Sequence, residues 1–531
     1  MLKKNWFLPA VVLLGMFQIL FAGVNIIPSN RRIDWDPGIP GGIPNYPAGV
    51  NVKNYGAKGD GVTNDTQAFE RAIDAASSGM AVIIPEGTYI ITSDLIIEEG
   101  IVLRGEGYNK TKLKFRMSGN CINFAIWGSE DWTDITGGFN KGSKTITVAS
   151  ASRININDFV EIRQDNDPAV FTPGYEGDES WGARSVGQIL LVVGKSGNSL
   201  TFNKSLYYTY NPNMHPRIRA LEVVKGGGVE NLYIERLNSD DWGTAFNFTN
   251  AAYCWVKNVW SEKTNSSHVY LTRAYGCEIR GNYFHDSYDH AGGMGYGITT
   301  ESRATDNLIE DNIFNRLRHS MEVQTGATGN VFAYNYSRDP FFEENNDYLM
   351  SDITVHGYYP TMNLFEGNTV QEIRADNVWG TNGPTTYFRN RIEKNVSHYL
   401  DGSEEFGFIE IHQDNPYQNI VGNELGINGT YSNIPIDLDP SIASTAIVHG
   451  NYNYRNRTLQ WDSSISDHDI PASYYLTQKP AFFGDLPWPL TGGDLSPNTN
   501  MIPAQQRYLN GTYIPGTIPP PAAPDNLRLK N

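Results

Sequence analysis

Glu301 and Glu322 lie in two stretches, YGITTES (296–302) and HSMEVQT (319–325), where apolar and polar residues alternate. A period of two sends one set of side chains into a core and the other to the opposite face of a sheet. Ile298, Met321 and Val323 then point inward, while Thr299, Glu301, Glu322 and Gln324 point outward. Two carboxyl groups on one face can cleave a glycosidic bond, one protonating the leaving oxygen and the other activating water. The pattern recurs in SDITVHG (351–357), ADNVWGT (375–381) and FIEIHQ (408–413). It sends Ile353, Val355, Val378, Ile409 and Ile411 inward, and Thr354, His356, Asn377, Trp379, Glu410 and His412 outward. HVYLTRA (268–274) adds Tyr270. A merely solvated face would carry Lys, Ser and Thr. Glutamates, histidines, amides and a tryptophan in a row suit an extended sugar polymer.

The expected catalytic group is therefore Glu322 and Glu301, sharing acid and base roles in either order, assisted by His319 and His356. Trp379, Gln324, Asn377, Glu410, His412, Arg318 and Tyr270 would position sugars. The loop FHDSYDHAGGMGYG (284–297) would bring His285, Asp289 and His290 to one end of the groove. With Glu322 level with Thr299, and Glu301 with Gln324, the two glutamates sit diagonally on adjacent strands. A step of about 4.8 Å between strands and about 6.6 Å along one combine to roughly 8 Å. That lies within the ~6.5–9.5 Å separation of inverting glycosidases. β-Elimination from a uronate is the other chemistry open to this face. It needs the sugar carboxylate neutralised by a cation or Ca²⁺, and a base for the neighbouring proton. Arg318, His319, Tyr270, His356 and His412 are candidates for those roles. Hydrolysis needs no cofactor, so Ca²⁺ enters only with elimination.

Such a row needs strands stacked in register. Asn258, Asn282, Asn312, Asn335, Asn368, Asn390, Asn423 and Asn451 recur at gaps from 22 (Asn368 to Asn390) to 33 residues (Asn335 to Asn368). That is one solenoid turn plus variable loops. Stacked at a corner, each amide can bond the next and satisfy a left-handed bend, which makes this ladder structural. Cys121, Cys254 and Cys277 form no disulfide framework and no zinc spacing, and no metal ligand set is expected. Cys254 and Cys277 fall at similar places in consecutive turns and should stack in the core.

Ahead of the repeats stands NVKNYGAKGDGVTNDTQAFERAIDAASSG (51–79), where Asn64 or Asp65 can cap a helix with Phe69, Ile73 and Ala76 on one face. NVKNYGAKGDGVTNDTQAF, followed by IIPEGTYII and LRGEG, resembles the opening of the pectate-lyase-3 or rhamnogalacturonase-like superfamily. The resemblance covers about 60 residues. It implies an all-β chain: a right-handed parallel β-helix with an N-terminal capping helix. It leaves hydrolases, lyases and phage tailspikes open. The NTD and GHG segments of polygalacturonases and the RxPxxR of the main pectate lyases are missing, so no catalytic residue carries over.

The expected organisation is a signal peptide over 1–23, an irregular lead-in over 24–50, and cap and first turns over 51–137. An inserted antiparallel hairpin region over 138–222, the main helix over 223–455, and an irregular segment and tail over 456–531 follow. The net charge of −17 disfavours nucleic acid. Lys3 and Lys4 before an apolar run read as a secretory signal. The expected protein is a monomer, secreted or held in the periplasm or at the cell surface, free of the membrane once the signal is removed. It cleaves an extracellular polysaccharide by inverting hydrolysis. A polysaccharide lyase is the alternative, and a non-catalytic, tailspike-like glycan-binding protein the third reading.

Overall fold

A computed structural model describes residues 26–516 except 129, 177–181, 240–241, 341, 343–349, 394–406 and 428–433. The expected signal peptide and most of the proline-rich tail lie outside the described residues. Short strands wind into a parallel β-helix with three long sheets. The first runs from Ala48–Asn51 to Ile447–His449 and the second from Asp60–Asn64 to Asn451–Asn453, which an antiparallel strand, Thr458–Gln460, closes. The third runs from Leu95–Ile96 to Ile436–Leu438. Parallel pairs stack turn upon turn, so the inward side chains form continuous files. Phe124 lies over Phe248 (4.8 Å between ring centres), and Phe332 over Phe365 (4.9 Å). Cys254 and Cys277 are buried in this core as free thiols.

The helix Thr66–Asp74 closes the N-terminal end and buries Phe69 against Tyr89. The Asn64 side chain accepts from the Thr66 N–H, while Asp65 accepts from the Lys58 and Gly59 N–H groups. A solenoid end would otherwise leave core and strand edge exposed to water and to pairing.

The asparagine ladder stands at the bend between the first and second sheets. Each Nδ2 of Asn282, Asn312, Asn335, Asn368, Asn390 and Asn423 donates to the Oδ1 of the next member, ending at Asn451, at 2.9–3.1 Å. Asn258 is not a member. It takes the left-handed position (φ 55°) that Gly281 and Asp311 take in later turns, and Val259 stands in the ladder slot, donating its N–H to Asn282. Asparagine suits both slots, which is why spacing alone misplaces it. A second ladder runs five residues earlier through Asn307, Asn330 and Asn363.

The insertion is a closed barrel rather than separate hairpins, built from Thr133–Gly137, Thr145–Val148, Phe159–Arg163, Gly187–Ser196, Ser199–Phe202 and Arg217–Leu221. The chain leaves the helix after Ile122–Ala125 and rejoins it so that Asn123 still pairs with Asn247. The lead-in runs along the first sheet, with Trp35 donating to the Met362 carbonyl and Arg31 to that of Thr445. The C-terminal segment clamps the first and second sheets through Arg389–Asp494 and Arg507–Asp311. The third sheet receives neither.

Asn335 accepts from the Asn312 N–H and donates to the Ile309 carbonyl, both buried. Asn335→Ala strands these groups and should destabilise the fold by at least about 2 kcal/mol in denaturant unfolding. Asn258→Gly, which keeps the left-handed bend at a position outside this ladder, should cost well under that.

Candidate functional site

The third sheet carries two outward columns fixed by its register. The first runs Asn247, Tyr270, Thr299, Glu322, Thr354, Arg374, Glu410, Asp437. The second lies two residues further along each strand. It pairs Thr272 with Glu301 and continues through Gln324, His356, Asp376 and His412, whose N–H groups each donate to the preceding turn. Glu322 is thus level with Thr299, and Glu301 stands diagonally to it on the adjacent strand. Ile298, Met321, Val323, Ile353, Val355, Ile409 and Ile411 fill the core beneath.

Glu322 is 2% exposed. The Thr299 hydroxyl donates to its Oε2 at 3.1 Å, and Thr299 is in turn bonded to Ser267. Burial raises the Glu322 pKa above the carboxylate range, against the pull of His356 and Arg318. Glu301 is half-buried and held by donors: Thr272 (3.2 Å) and Ser302 (3.1 Å) on Oε1, and Gln324 Nε2 (3.2 Å) on Oε2. Tyr270 also bonds Glu301, and burial first, then this carboxylate, push its hydroxyl pKa well up. One carboxyl is buried with its pKa raised, and the other is half-buried among neutral donors.

His356 Nδ1 meets Asp376 Oδ2 at 2.7 Å, and Trp379 Nε1 donates to His356 Nε2 at 3.0 Å. Burial opposes protonation of His356, but Asp376 overrides it and raises the pKa above 6.5. The indole N–H works against that, because it can donate only to a neutral ring. His319 is buried, stacks on Tyr296 (5.5 Å) and meets the Ser351 carbonyl and Thr354 Oγ1 at 2.8 Å. Burial and Arg318 hold it well below 6.5, as a neutral ring. Arg318 bonds the Tyr296 hydroxyl at 2.5 Å and lies 5.3 Å over Phe342.

Other residues expected on this face lie elsewhere. His285 belongs to the second sheet, in the strand Tyr283–Ser287, where it accepts from Trp260 Nε1 (2.7 Å) and stacks on Tyr283. The stretch had looked like loop only because its strand is short and polar at one end. His290 is buried on the Arg316 carbonyl (3.0 Å), and Asp289 caps the Ala291 N–H. Asn377 lies outside any strand and Val378, Trp379 and Gly380 form a bend, so Val378 is not core and Trp379 lies flat against Tyr358 (6.2 Å, 17°). The strand is Ile373–Ala375, one step earlier, and it contributes Arg374 and Asp376 instead. The alternation Glu372, Ile373, Arg374, Ala375 was the available signal for it. Arg374 pairs with Glu410 (2.9 Å) and Glu372 (2.5 Å), so Glu410 serves an ion pair. Asn377 and His412 line an open polar cavity of about 320 Å³ with Asp437 and Asp439. The expected continuous open groove is closed over Glu322 and Glu410, which are buried, and half-buried side chains continue the wall at Glu301, Gln324 and His356.

Residues 49–185 match the family profile described as rhamnogalacturonase A/epimerase, pectate lyase-like. A preneck appendage protein of Bacillus phage PZA is 46% identical over 67 residues, 13% of this chain and 8% of that protein. A glucan 1,3-beta-glucosidase of Cochliobolus carbonum is 46% identical over 65 residues, 10% of this chain and 8% of its own length. The chain thus spans under a tenth of the curated relatives it matches. The tailspike gp61 of Pseudomonas phage phi297 superposes with a TM-score of 0.54 at 15% identity, over 77% of this chain and 70% of the tailspike. The chain has the parallel β-helix fold of that tailspike, and over residues 49–185 it resembles the pectate lyase-like family.

In this β-helix protein, the loop after Arg163 forms a wall beside the columns. Thr172 and Thr381 exchange hydrogen bonds, Glu176 donates its N–H to the Val378 carbonyl, and Phe171 stacks on Tyr358. Among the described residues, no helix is long and apolar enough to cross a membrane.

The His356–Asp376 contact stabilises the fold fully below the unfolded imidazole value of about 6.5. The contribution is lost as pH rises through the higher folded value. Asp376→Asn should therefore lower the Tm more at pH 5.5 than at pH 8.5. It should also bring the His356 titration, followed by NMR, down in pH.

Proposed function

We propose that the protein hydrolyses glycosidic bonds of a polysaccharide lying along the third sheet, with Glu322 as general acid and Glu301 as general base. The supporting observation is the diagonal placement of two carboxyls in opposite environments, one buried and the other half-buried and ringed by donors. The register sets their Cα atoms roughly 8 Å apart, and rotamers that hold the carboxyls at that spacing would leave room for the water that inversion needs. Glu322 would protonate the leaving oxygen while Glu301 takes a proton from the attacking water. Because Glu322 is buried, a sugar must displace its cover to reach it, and water excluded by that sugar strengthens the acid's hold on the developing charge. His356, oriented by Asp376, and Gln324 are within the same wall and would orient sugar hydroxyls. The match to a glucan 1,3-beta-glucosidase supports a glycan partner.

β-Elimination is the second reading, favoured by the His356–Asp376 pair as base with the Arg318 cation nearby; Ca²⁺ belongs to this reading alone. Of the other bases available to it, Tyr270 is disfavoured because its hydroxyl holds its proton tightly. Secretion of the chain is proposed on the same grounds, since such polymers lie outside the cell.

Glu322→Gln should lower kcat about 10²–10⁴-fold with KM little changed. New reducing ends without absorbance from an unsaturated product support hydrolysis. An unsaturated product moves the assignment to elimination, and glycan binding without either product moves it to a binding protein. Arg318 holds the Glu322 pKa down, so Arg318→Met should shift the alkaline limb of the pH–rate profile to higher pH. An unmoved limb would exclude Glu322 as the acid.

A further inference from the structure

His356 is gripped at both ring nitrogens by one short stretch of chain, residues 376–380. Asp376 Oδ2 meets Nδ1 at 2.7 Å, and the Trp379 indole donates to Nε2 at 3.0 Å. An indole N–H can only donate, so in this contact Nε2 offers a lone pair and the ring's single proton lies on Nδ1, facing Asp376. The bend itself steadies the carboxylate, since Asp376 Oδ1 accepts the Val378 N–H at 3.1 Å. Gly357 (φ 80°), directly after His356, lets the bend come this close. A Cβ there would stand 2.7 Å from that of Trp379.

The barrel holds the same bend. The loop after Arg163 lays Gly174 on it so tightly that a Cβ would lie 2.2 Å from the Val378 carbonyl oxygen. Beside it the Thr172 N–H donates to Thr381 Oγ1 at 2.9 Å, and the Thr381 N–H to the Thr172 carbonyl at 3.0 Å. Trp379 stacks on Tyr358 (6.2 Å, 17°), and Tyr358 on Phe171 of that loop (5.9 Å, 16°). Three nearly parallel rings thus run from the barrel loop to the indole that reaches His356.

We infer that Trp379 is a positioning residue: its N–H restrains His356 from taking a second proton, and the barrel loop, through Phe171 and Tyr358, keeps the indole in place. Protonating Nε2 would set two donors against each other, so the imidazolium forms only once the indole bond is given up. The restraint opposes Asp376, which with Glu322 favours the imidazolium, and it adds to burial and Arg318, which disfavour it. His319 also faces the ring, and His412 and Tyr175 act on Asp376.

The consequence falls on Glu322. Burial raises its pKa, and of the cations that draw it back down His356 comes first, ahead of Arg318. A ring kept neutral withdraws that pull, so the buried carboxyl holds its proton to higher pH. The catalytic meaning of this step rests on reading Glu322 as the general acid, whereas the restraint on His356 does not.

Trp379→Phe keeps a ring on Tyr358 and removes the donor. In the full chain the His356 titration, followed by NMR and assigned by its loss in His356→Gln, should then move up by about 0.5–1 pH unit. Phe171→Ala should move it the same way by a smaller amount, and Phe171→Tyr should keep the wild-type value. Phe171→Ala leaves the third sheet's own residues intact, so it reads out the indole's hold if Trp379→Phe fails to fold. A titration that stays in place or moves down in either variant overturns the inference. In the pH–rate profile, with released reducing ends as the rate, Trp379→Phe should bring the alkaline limb to lower pH, opposite to Arg318→Met. A raised His356 titration with an unmoved limb would remove Glu322 as the acid and leave the restraint standing. An unmoved titration with hydrolysis intact would do the reverse.

Discussion

Register between successive turns is the constraint on which everything else depends. Side chains alternate faces along a strand, so a slip of one residue would exchange core and wall for a whole turn. Two asparagine ladders pin that register from within the bends on either side of the first sheet, each amide bonding the next turn's amide and a backbone carbonyl. The left-handed residue before each ladder position, Gly281, Asp311 or Tyr334, makes the bend, and the asparagine satisfies the backbone groups that the bend exposes. The files of phenylalanine within and of carboxyls without are two consequences of the same stacking.

That dependence explains what could be read from the sequence. Alternation around Ile298, Met321 and Val323 was strong enough to place Glu301 and Glu322 diagonally, and the structure has them so. It failed at residues 375–381. There ADNVWGT imitates a strand, but the hydrogen-bonded one is Ile373–Ala375, so Arg374 and Asp376 were missed. Burial could not be read at all. A column of polar residues looks like an open groove until distant segments are placed against it, and Glu410 is engaged by an arginine that local pattern did not put on the wall. His285 shows the same limit, because which sheet a three-to-five-residue strand joins depends on how many residues the preceding bend takes.

The charges on the third sheet follow a consistent logic. Buried ions need partners, since removing one from water costs several kcal/mol. Arg374 has Glu372 and Glu410, and Asp376 has His356. Glu322 is the exception, for its nearest bonded neighbour is a neutral hydroxyl and its cations lie further off. Burial without a close counter-ion leaves protonation as the way to lose the charge. The wall thus holds one buried carboxyl whose pKa is shifted in the direction that acid catalysis favours.

The barrel shows how a solenoid acquires a new edge without losing its register. Asn123 and Asn247 are 124 residues apart in sequence, yet Asn247 Nδ2 donates to Asn123 Oδ1 at 3.0 Å, as neighbours in consecutive turns would. Loop-closure entropy grows only slowly with length, so a whole domain can be looped out at little more cost than a long turn, provided its ends return one strand spacing apart. In this chain the barrel also reaches the turn after Glu301, where Glu161 meets Arg303 and Ile189 donates to Thr305. Its outward residues thus meet the side of the third sheet, and Glu161 bridging Arg219 and Arg303 is the contact that holds them there. Glu161 is buried between Arg219 and Arg303, so the junction is an ion-paired contact set against the side of the wall, in the turn that follows Glu301.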